Sequence, residues 1–167
     1  QLANYGFSPS KIAYPKAREE LAKAFFINEN LSEAFASQGW IKFNFDWDWI
    51  GAEEAFRKAL SINPNNAEAR RWLSHLLWIL GRYEEAFKEL DMGIEIMPRS
   101  DLMLAIKGFI CTYKGRYEEA ISLLKTAEGF GSEFVGTYRT RILAESLNGN
   151  FDEAQNAFLR GDRLYEG

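Results

Sequence analysis

The chain has 167 residues, of which 47% are hydrophobic and 26% charged, and this composition excludes a disordered polypeptide. Its net charge is −4 at pH 7. No basic run is present, so nucleic-acid binding, which depends on Lys and Arg neutralising phosphates, is disfavoured. Apolar runs such as Leu76 to Leu80 are far too short to span a membrane.

The cysteine content and the first residue indicate the cellular context. Cys111 is the single cysteine, which excludes an internal disulfide and fits a reducing compartment, so we expect a cytoplasmic protein. We expect no signal peptide. Because the chain begins with Gln1 rather than Met, we expect it to be a fragment of a longer protein.

Residues 1–31 predict a partial leading repeat. We expect Gln1–Tyr5 to be the end of a helix and Gly6–Tyr14 to be an extended loop. A helix follows, with Pro15 in its first turn, where a missing amide hydrogen costs nothing. One face of that helix has the spacing of an α-helical stripe, with Ala17, Leu21 and Ala24.

Residues 32–66 predict a pair of helices. The second helix has the same stripe, in Ala52, Phe56 and Ala59. It ends before Pro64, whose ring cannot continue a helix. The turn between the two helices reads Phe-Asp-Trp-Asp-Trp over residues 45–49 and lacks glycine. We expect the tryptophans to fill the space that the missing glycine leaves.

The rest of the chain is periodic. The sequence Gly-Arg-Tyr-Glu-Glu-Ala at residues 81–86 recurs 34 residues later at 115–120 and, in altered form, at 149–154. A fixed period of this length is typical of stacked supersecondary units rather than of one globular core. Against this period the first helix of residues 32–66 is displaced by one position, which predicts one inserted residue near Asn44–Trp49.

Glycine and proline mark the ends of the predicted helices. Gly81, Gly115 and Gly149 suit a left-handed turn after the first helix of a unit. Pro64 and Pro98 stop the second helix. Each unit therefore reads helix, glycine turn, helix, proline turn.

These positions resemble the tetratricopeptide repeat, which has small and large apolar residues at fixed positions of a 34-residue unit. The residues that fit are Ala86, Leu90, Pro98, Gly108, Ala120, Leu124, Ala127, Ala154 and Phe158. Departures are Ser132 in place of Pro and Ile142 in place of a small residue. The resemblance implies an all-α fold, a right-handed α-solenoid of about nine helices in antiparallel pairs. It also implies a single domain over residues 1–167, with repeats at 32–66, 67–100, 101–134 and 135–167.

A narrower resemblance concerns residues 13–17 and 40–53. These segments are similar to the repeat region of bacterial multidomain signalling and transcription-regulatory proteins. In such proteins an amino-terminal effector domain precedes the repeats, often a winged-helix DNA-binding domain, a nucleotide cyclase or a kinase. The resemblance implies that this chain is a regulatory or sensor region whose effector domain lies outside it.

In tetratricopeptide-repeat proteins the first helix of each unit lines a concave groove. Transferred residue by residue, this partner-binding groove would contain Trp40, Phe43, Asn44, Arg71, His75, Trp78, Phe109, Thr112, Tyr113 and Arg139. Peptides bind such grooves by burying apolar anchors against aromatic rings while Arg pairs with carboxylates. The alternatives are packing between repeats for the aromatic residues and a solvated or salt-bridged state for the two arginines.

The residues that could support catalysis do not form a recognisable site. His75 and Cys111 have no metal-ligand spacing around them, so we predict no metal and no cofactor, and a Cys–His pair stays a minor alternative. Asp46 and Asp48 flank Trp47 like two catalytic carboxylates. Aspartates also commonly end and begin helices, which is the stronger interpretation. We therefore predict that the chain is not an enzyme.

The predicted function is protein–protein interaction, with a protein or peptide bound in the concave groove. We expect neither nucleic acid nor a membrane as a partner of this segment. The alternative is a self-association scaffold, because solenoid ends without a polar capping helix expose apolar faces and tend to associate. No separate capping helix is evident after residues 154–159.

The small residues of the second-helix stripe provide a test of the helix pairs. Ala120→Leu adds bulk where two helices approach closely, so we expect it to lower the free energy of unfolding by about 1–3 kcal/mol. Urea denaturation followed by circular dichroism measures the change. Ser122→Leu, two positions along the same helix and off the stripe, is the control. An unchanged midpoint for Ala120→Leu would contradict a close-packed pair.

Overall fold

A computed structural model describes the backbone of residues 10–163 and the side chains of residues 14–163. Within these residues there are nine α-helices and one π-helical turn at Lys42–Asp46, and no β-strand. The helices are α1 (Ser10–Ile27), α2 (Ser32–Ile41), α3 (Trp49–Ile62), α4 (Ala67–Ile79), α5 (Tyr83–Ile96), α6 (Asp101–Tyr113), α7 (Tyr117–Gly129), α8 (Val135–Leu147) and α9 (Phe151–Asp162). The helix end predicted at Gln1–Tyr5 lies outside the described residues.

The chain forms two compact units, one up to Arg82 and the other from Tyr83 onward. In the first unit α1 contacts α2, α2 packs against α3, and α3 packs against α4. In the second unit α6 packs against α7, α7 against α8, and α8 against α9. Helices adjacent in sequence are therefore adjacent in space, which confirms the predicted all-α class. That both units form a single domain remains a prediction.

Small residues allow the paired helices to approach closely. The stripe predicted from the sequence is fully buried at Ala52, Phe56, Ala59, Ala86, Leu90, Ala120, Leu124 and Ala127. On α6, a Cβ added to Gly108 would lie 2.8 Å from Cγ of Leu124 on α7. The contact between these two helices therefore depends on the absence of a side chain at residue 108.

The glycine turns end the first helices as predicted. Gly81, Gly115 and Gly149 have φ angles of 75°, 74° and 82°, in the left-handed region. After Gly81, the backbone N–H of Arg82 donates to the carbonyl of Leu77 at 2.9 Å, and the N–H of Gly81 donates to Trp78 at 2.9 Å. This pair of bonds is a Schellman motif, which satisfies carbonyls that the helix end would otherwise leave without donors.

The predicted inserted residue is confirmed by the π-helical turn Lys42–Asp46. A π-helical turn holds more residues than an α-helical turn, because each N–H donates to the carbonyl five residues earlier. Here the N–H of Trp47 donates to the carbonyl of Lys42. Trp47 itself stands one period before Gly81 and adopts the same left-handed conformation, with φ 58°. The extra residue is thus absorbed before the turn, and the turn keeps its geometry.

The expectation that the tryptophans fill the space of a missing glycine is wrong. Trp47 is 74% exposed. The reason is visible at the equivalent Gly81, where a Cβ added to the backbone would meet no atom within 4 Å. A side chain at this position of the turn points to solvent, so glycine is favoured here for its backbone freedom and not for its small volume.

The prediction of an extended loop at Gly6–Tyr14 is wrong for residues 10–14, which form the beginning of α1; residues 6–9 lie outside the described residues. Pro15 is therefore inside the helix rather than in its first turn. Its missing N–H removes one helical hydrogen bond. A tertiary contact stabilises this part of α1, because Tyr14 is buried and its ring stacks on Phe45 at 4.8 Å between centroids.

The left-handed tryptophan gives a second test. We expect Trp47→Gly to raise the free energy of unfolding by about 1 kcal/mol, because glycine adopts this conformation without steric cost and little buried surface is lost. The matched reciprocal change, Gly81→Trp, should lower it by a similar amount. Urea midpoints of the two variants check the pair. A lower midpoint for Trp47→Gly would show that the indole stabilises the fold by more than the backbone strain costs.

Candidate functional site

Five rings in the first unit form a continuous group, here called the aromatic cluster: Trp40, Phe43, Trp72, His75 and Trp78. Trp40 stacks on Trp72 with centroids 5.2 Å apart and lies 6.1 Å from Phe43. Phe43 meets His75 edge to face at 5.6 Å, and His75 stacks on Trp78 at 5.9 Å. Four of these residues were predicted from the sequence, and the structure brings them together.

Helix geometry explains the cluster and the residue that sequence reasoning missed. Trp72, His75 and Trp78 follow one another at three-residue spacing along α4, so their side chains share one face. Helix α2 contacts α4 and places Trp40 opposite that face. Trp72 was not predicted, although its spacing from His75 and Trp78 was a usable signal.

Two indole groups of the aromatic cluster have unmet hydrogen-bond donors. Nε1 of Trp40 and Nε1 of Trp72 are both buried and have no acceptor among the described residues. Trp72 is only 7% exposed. Leaving a buried donor unsatisfied costs about 1–3 kcal/mol, so such groups mark places where a water or a ligand supplies an acceptor.

Both indoles line a cavity of about 540 Å³ beside α1 and α2, here called the indole cavity. Its walls are mainly apolar, and none of the described lining residues is Lys or Arg. The walls include Tyr14, Leu21, Leu31 and Ile41, with the carboxylates of Glu20 and Glu33 as charged groups. The lining therefore suits an apolar group that carries a hydrogen-bond acceptor and no negative charge.

The polar residues predicted in the first unit are engaged with their neighbours. Asn44 donates from Nδ2 to the carbonyl of Trp40 at 3.1 Å. Arg71 forms an ion pair with Glu68 at 2.5 Å, and its guanidinium lies 5.4 Å from the ring centroid of Trp72. These contacts match the salt-bridged alternative for Arg71. They leave its guanidinium less available to a partner carboxylate than the sequence analysis assumed.

The other predicted residues lie in the second unit. Phe109 and Tyr113 contact each other with centroids 4.8 Å apart, one turn apart on α6. Thr112 is only 3% exposed and donates from its hydroxyl to the carbonyl of Gly108 at 2.9 Å, so it offers no accessible surface. Arg139 is exposed on α8.

The candidate catalytic groups have structural roles. Burial raises the pKa of Cys111 to about 11, so its thiol is protonated at neutral pH and is a poor nucleophile. Asp48 accepts the backbone N–H of Gly51 at 2.9 Å and caps α3. That bond and the ammonium of Lys42 lower the pKa of Asp48. Asp46 pairs with Arg18. Within the described residues no group of three His, Cys, Asp or Glu could hold a metal ion.

Comparison with known proteins agrees with this architecture. A family model described as Tetratricopeptide repeat matches residues 48–108. No curated protein sequence matches the chain. Among the helices of the described residues, none has the length and apolar character that crossing a membrane requires.

Solved structures resemble the chain over nearly its whole length. The crystal structure of MamA is 18% identical with a TM-score of 0.76, covering 99% of this chain and 92% of MamA. PilW, a widely conserved type IV pilus biogenesis factor, is 22% identical with a TM-score of 0.80, over 92% of this chain and 71% of PilW. YrrB, described as a TPR protein with an unusual peptide-binding site, is 16% identical with a TM-score of 0.69, over 91% and 79%. At these identities the likeness shows the fold, an α-solenoid of antiparallel helix pairs.

The burial of His75 predicts a pH dependence of stability. Burial first, and then the charge of Arg71, lower the pKa of His75 below its ordinary value of 6.5. The unfolded chain then binds a proton more readily than the folded one, so His75 stabilises the fold above pH 6.5 and this stabilisation is lost as the pH falls below it. Urea unfolding as a function of pH measures this. His75→Phe should remove this part of the dependence, and identical pH profiles for both proteins would contradict the assignment.

Proposed function

Because the chain belongs to the tetratricopeptide-repeat family, we propose that it is a protein-interaction module whose first unit binds a peptide segment of a partner at the aromatic cluster. The observation that carries the proposal is the pair of buried indole N–H groups, both without an acceptor among the described residues, that open into an apolar cavity. YrrB, which has a similar fold, is described as having a peptide-binding site.

The chemistry of the indole cavity indicates the kind of peptide. A volume of about 540 Å³ accommodates one or two large apolar side chains. Backbone carbonyls of an extended peptide are acceptors that the indole N–H groups of Trp40 and Trp72 lack. Glu20 and Glu33 disfavour acidic side chains, so a neutral or basic peptide with an apolar anchor fits best.

The biological setting is part of the same proposal. The likeness of residues 13–17 and 40–53 to the repeat region of bacterial signalling and transcription-regulatory proteins supports a cytoplasmic regulatory or sensor role. Binding of the peptide would then be transmitted to an effector domain.

Self-association through the repeat ends is the second candidate. It is favoured by large apolar side chains that are exposed on the last two described helices. These are Leu143, Leu147, Phe151, Phe158 and Leu159. An exposed apolar patch of this kind is typical of association surfaces.

A displayed library of random peptides, selected on the purified protein, tests the peptide proposal. We expect wild type to enrich peptides with a large apolar anchor and without acidic neighbours. Trp40→Phe keeps an aromatic ring but removes the N–H donor. It should weaken binding of the enriched peptides by about three- to tenfold, as measured by fluorescence polarisation.

Two further variants make this experiment decisive. Trp78→Ala removes another ring of the aromatic cluster and should also weaken binding, whereas Phe151→Ala, an exposed aromatic residue in the second unit, is the matched control. Equal affinity of all four proteins would rule out the aromatic cluster as the binding site. Light scattering on the same samples, showing a monomer at high concentration, would exclude the self-association candidate.

A further inference from the structure

A second cavity, in the second unit, is lined almost entirely by charged side chains and is here called the polar pocket. Its volume is about 400 Å³. Helices α7, α8 and α9 contribute its lining: Lys125, Glu128, Gly129, Tyr138, Arg141, Glu153 and Arg160. None of these residues belongs to the aromatic cluster, so the polar pocket requires its own explanation.

Arg141 holds the polar pocket together from within. Its guanidinium donates to Glu128 Oε2 at 2.7 Å and to Glu153 Oε2 at 2.8 Å, and its Nε lies 3.5 Å from Glu145 Oε1. Arg141, Glu128 and Glu145 are all at least nine-tenths buried. Burial lowers the pKa of Arg141, but the carboxylates of Glu128 and Glu145 raise it above its ordinary value, so the pocket is built around a fixed positive charge.

The buried carboxylate of Glu128 is only half satisfied. Its side chain is 6% exposed, and Oε2 accepts from Arg141. Its other oxygen, Oε1, is buried and has no hydrogen-bond donor among the described residues. An unmet acceptor on a buried ion costs more than one on a neutral group. Glu128 Oε1 therefore indicates a missing donor in the polar pocket.

Two cations stand at the exposed side of the same carboxylate. Arg160 is 66% exposed, and its Nη1 lies 3.6 Å from Glu128 Oε2, longer than a hydrogen bond. The ammonium of Lys125 is also partly exposed and lies 3.3 Å from Glu145 and 3.7 Å from Glu153. Both can donate to an acidic group that arrives from solvent.

The charges of this network already balance. Lys125, Arg141 and Arg160 are matched by Glu128, Glu145 and Glu153. A ligand with a net charge would disturb that balance in a partly buried site, whereas a zwitterion preserves it. The donor and the acceptor of the ligand must also be close together, because Arg160 lies beside the same carboxylate whose Oε1 lacks a donor.

We propose that the polar pocket binds a free α-amino acid. The ammonium group of the ligand donates to Glu128 Oε1, and its carboxylate accepts from Arg160 and Lys125. One carbon separates the two groups in an α-amino acid, which matches the closeness of the two subsites. The ligand side chain has room beside Gly129, where an added Cβ would meet no atom within 4 Å.

Three small probes test the proposal on the purified chain: L-leucine, N-acetyl-L-leucine and L-leucinamide. The second probe lacks the ammonium group and the third lacks the carboxylate. We expect L-leucine to shift amide resonances around Gly129 in a two-dimensional NMR titration. Each derivative should bind at least about tenfold more weakly, because each loses a charge-assisted hydrogen bond.

Two variants locate the site. Gly129→Leu fills the open space and should abolish the shifts without unfolding the protein, since it replaces a glycine at a helical position that meets no other atom. Arg160→Gln should weaken binding of L-leucine at least about tenfold and leave L-leucinamide unchanged. Arg116→Gln, which changes an exposed arginine before the opposite end of α7, is the control and should bind like wild type.

Several outcomes would overturn the assignment. Absence of saturable shifts with L-leucine at millimolar concentration would mean that a water alone satisfies Glu128 Oε1. Equal binding of N-acetyl-L-leucine would show that the ammonium group is not recognised. Binding that survives in Gly129→Leu, with its melting temperature retained, would place the ligand elsewhere. None of these results bears on the peptide proposal, which concerns the first unit.

Discussion

The close approach of paired helices through alanine and glycine is the constraint on which the structure depends. Ala52, Ala86 and Ala120 are fully buried one period apart, and Gly108 brings α6 against Leu124 of α7. A larger side chain at these positions would separate the helices and open the contact. Because every pair meets this requirement in the same way, the units can repeat with constant length, and their outward surfaces are left to vary.

Local signals made much of this fold predictable. Glycine turns, proline stops and small-residue stripes act over a few residues, so the helix pairs and the inserted residue could be derived from the sequence. The start of α1 could not, because Tyr14 is held in the helix by its stacking on Phe45, a contact distant in sequence. The exposure of Trp47 was also missed, since glycine at that position was interpreted as a small residue rather than a flexible one.

The candidate site was predictable in its residues and not in its chemistry. Spacing along the helices identified Trp40, His75 and Trp78, which do come together. It could not show that two indole N–H groups would remain without acceptors, because hydrogen-bond satisfaction depends on every neighbouring element. The same holds for Glu128, whose helix position resembles that of any surface acid and whose burial results from packing among α7, α8 and α9.

The π-helical turn Lys42–Asp46 shows how such a chain tolerates a change of length. The additional residue is looped out within one helical turn, and the spacing from Trp47 to Gly81, Gly115 and Gly149 is undisturbed. The family match accordingly begins at residue 48, directly after this turn. A one-codon insertion at the end of a helix therefore need not be purged by selection. Repeat proteins of this kind can accumulate such insertions while methods that rely on strict periodicity overlook the affected unit.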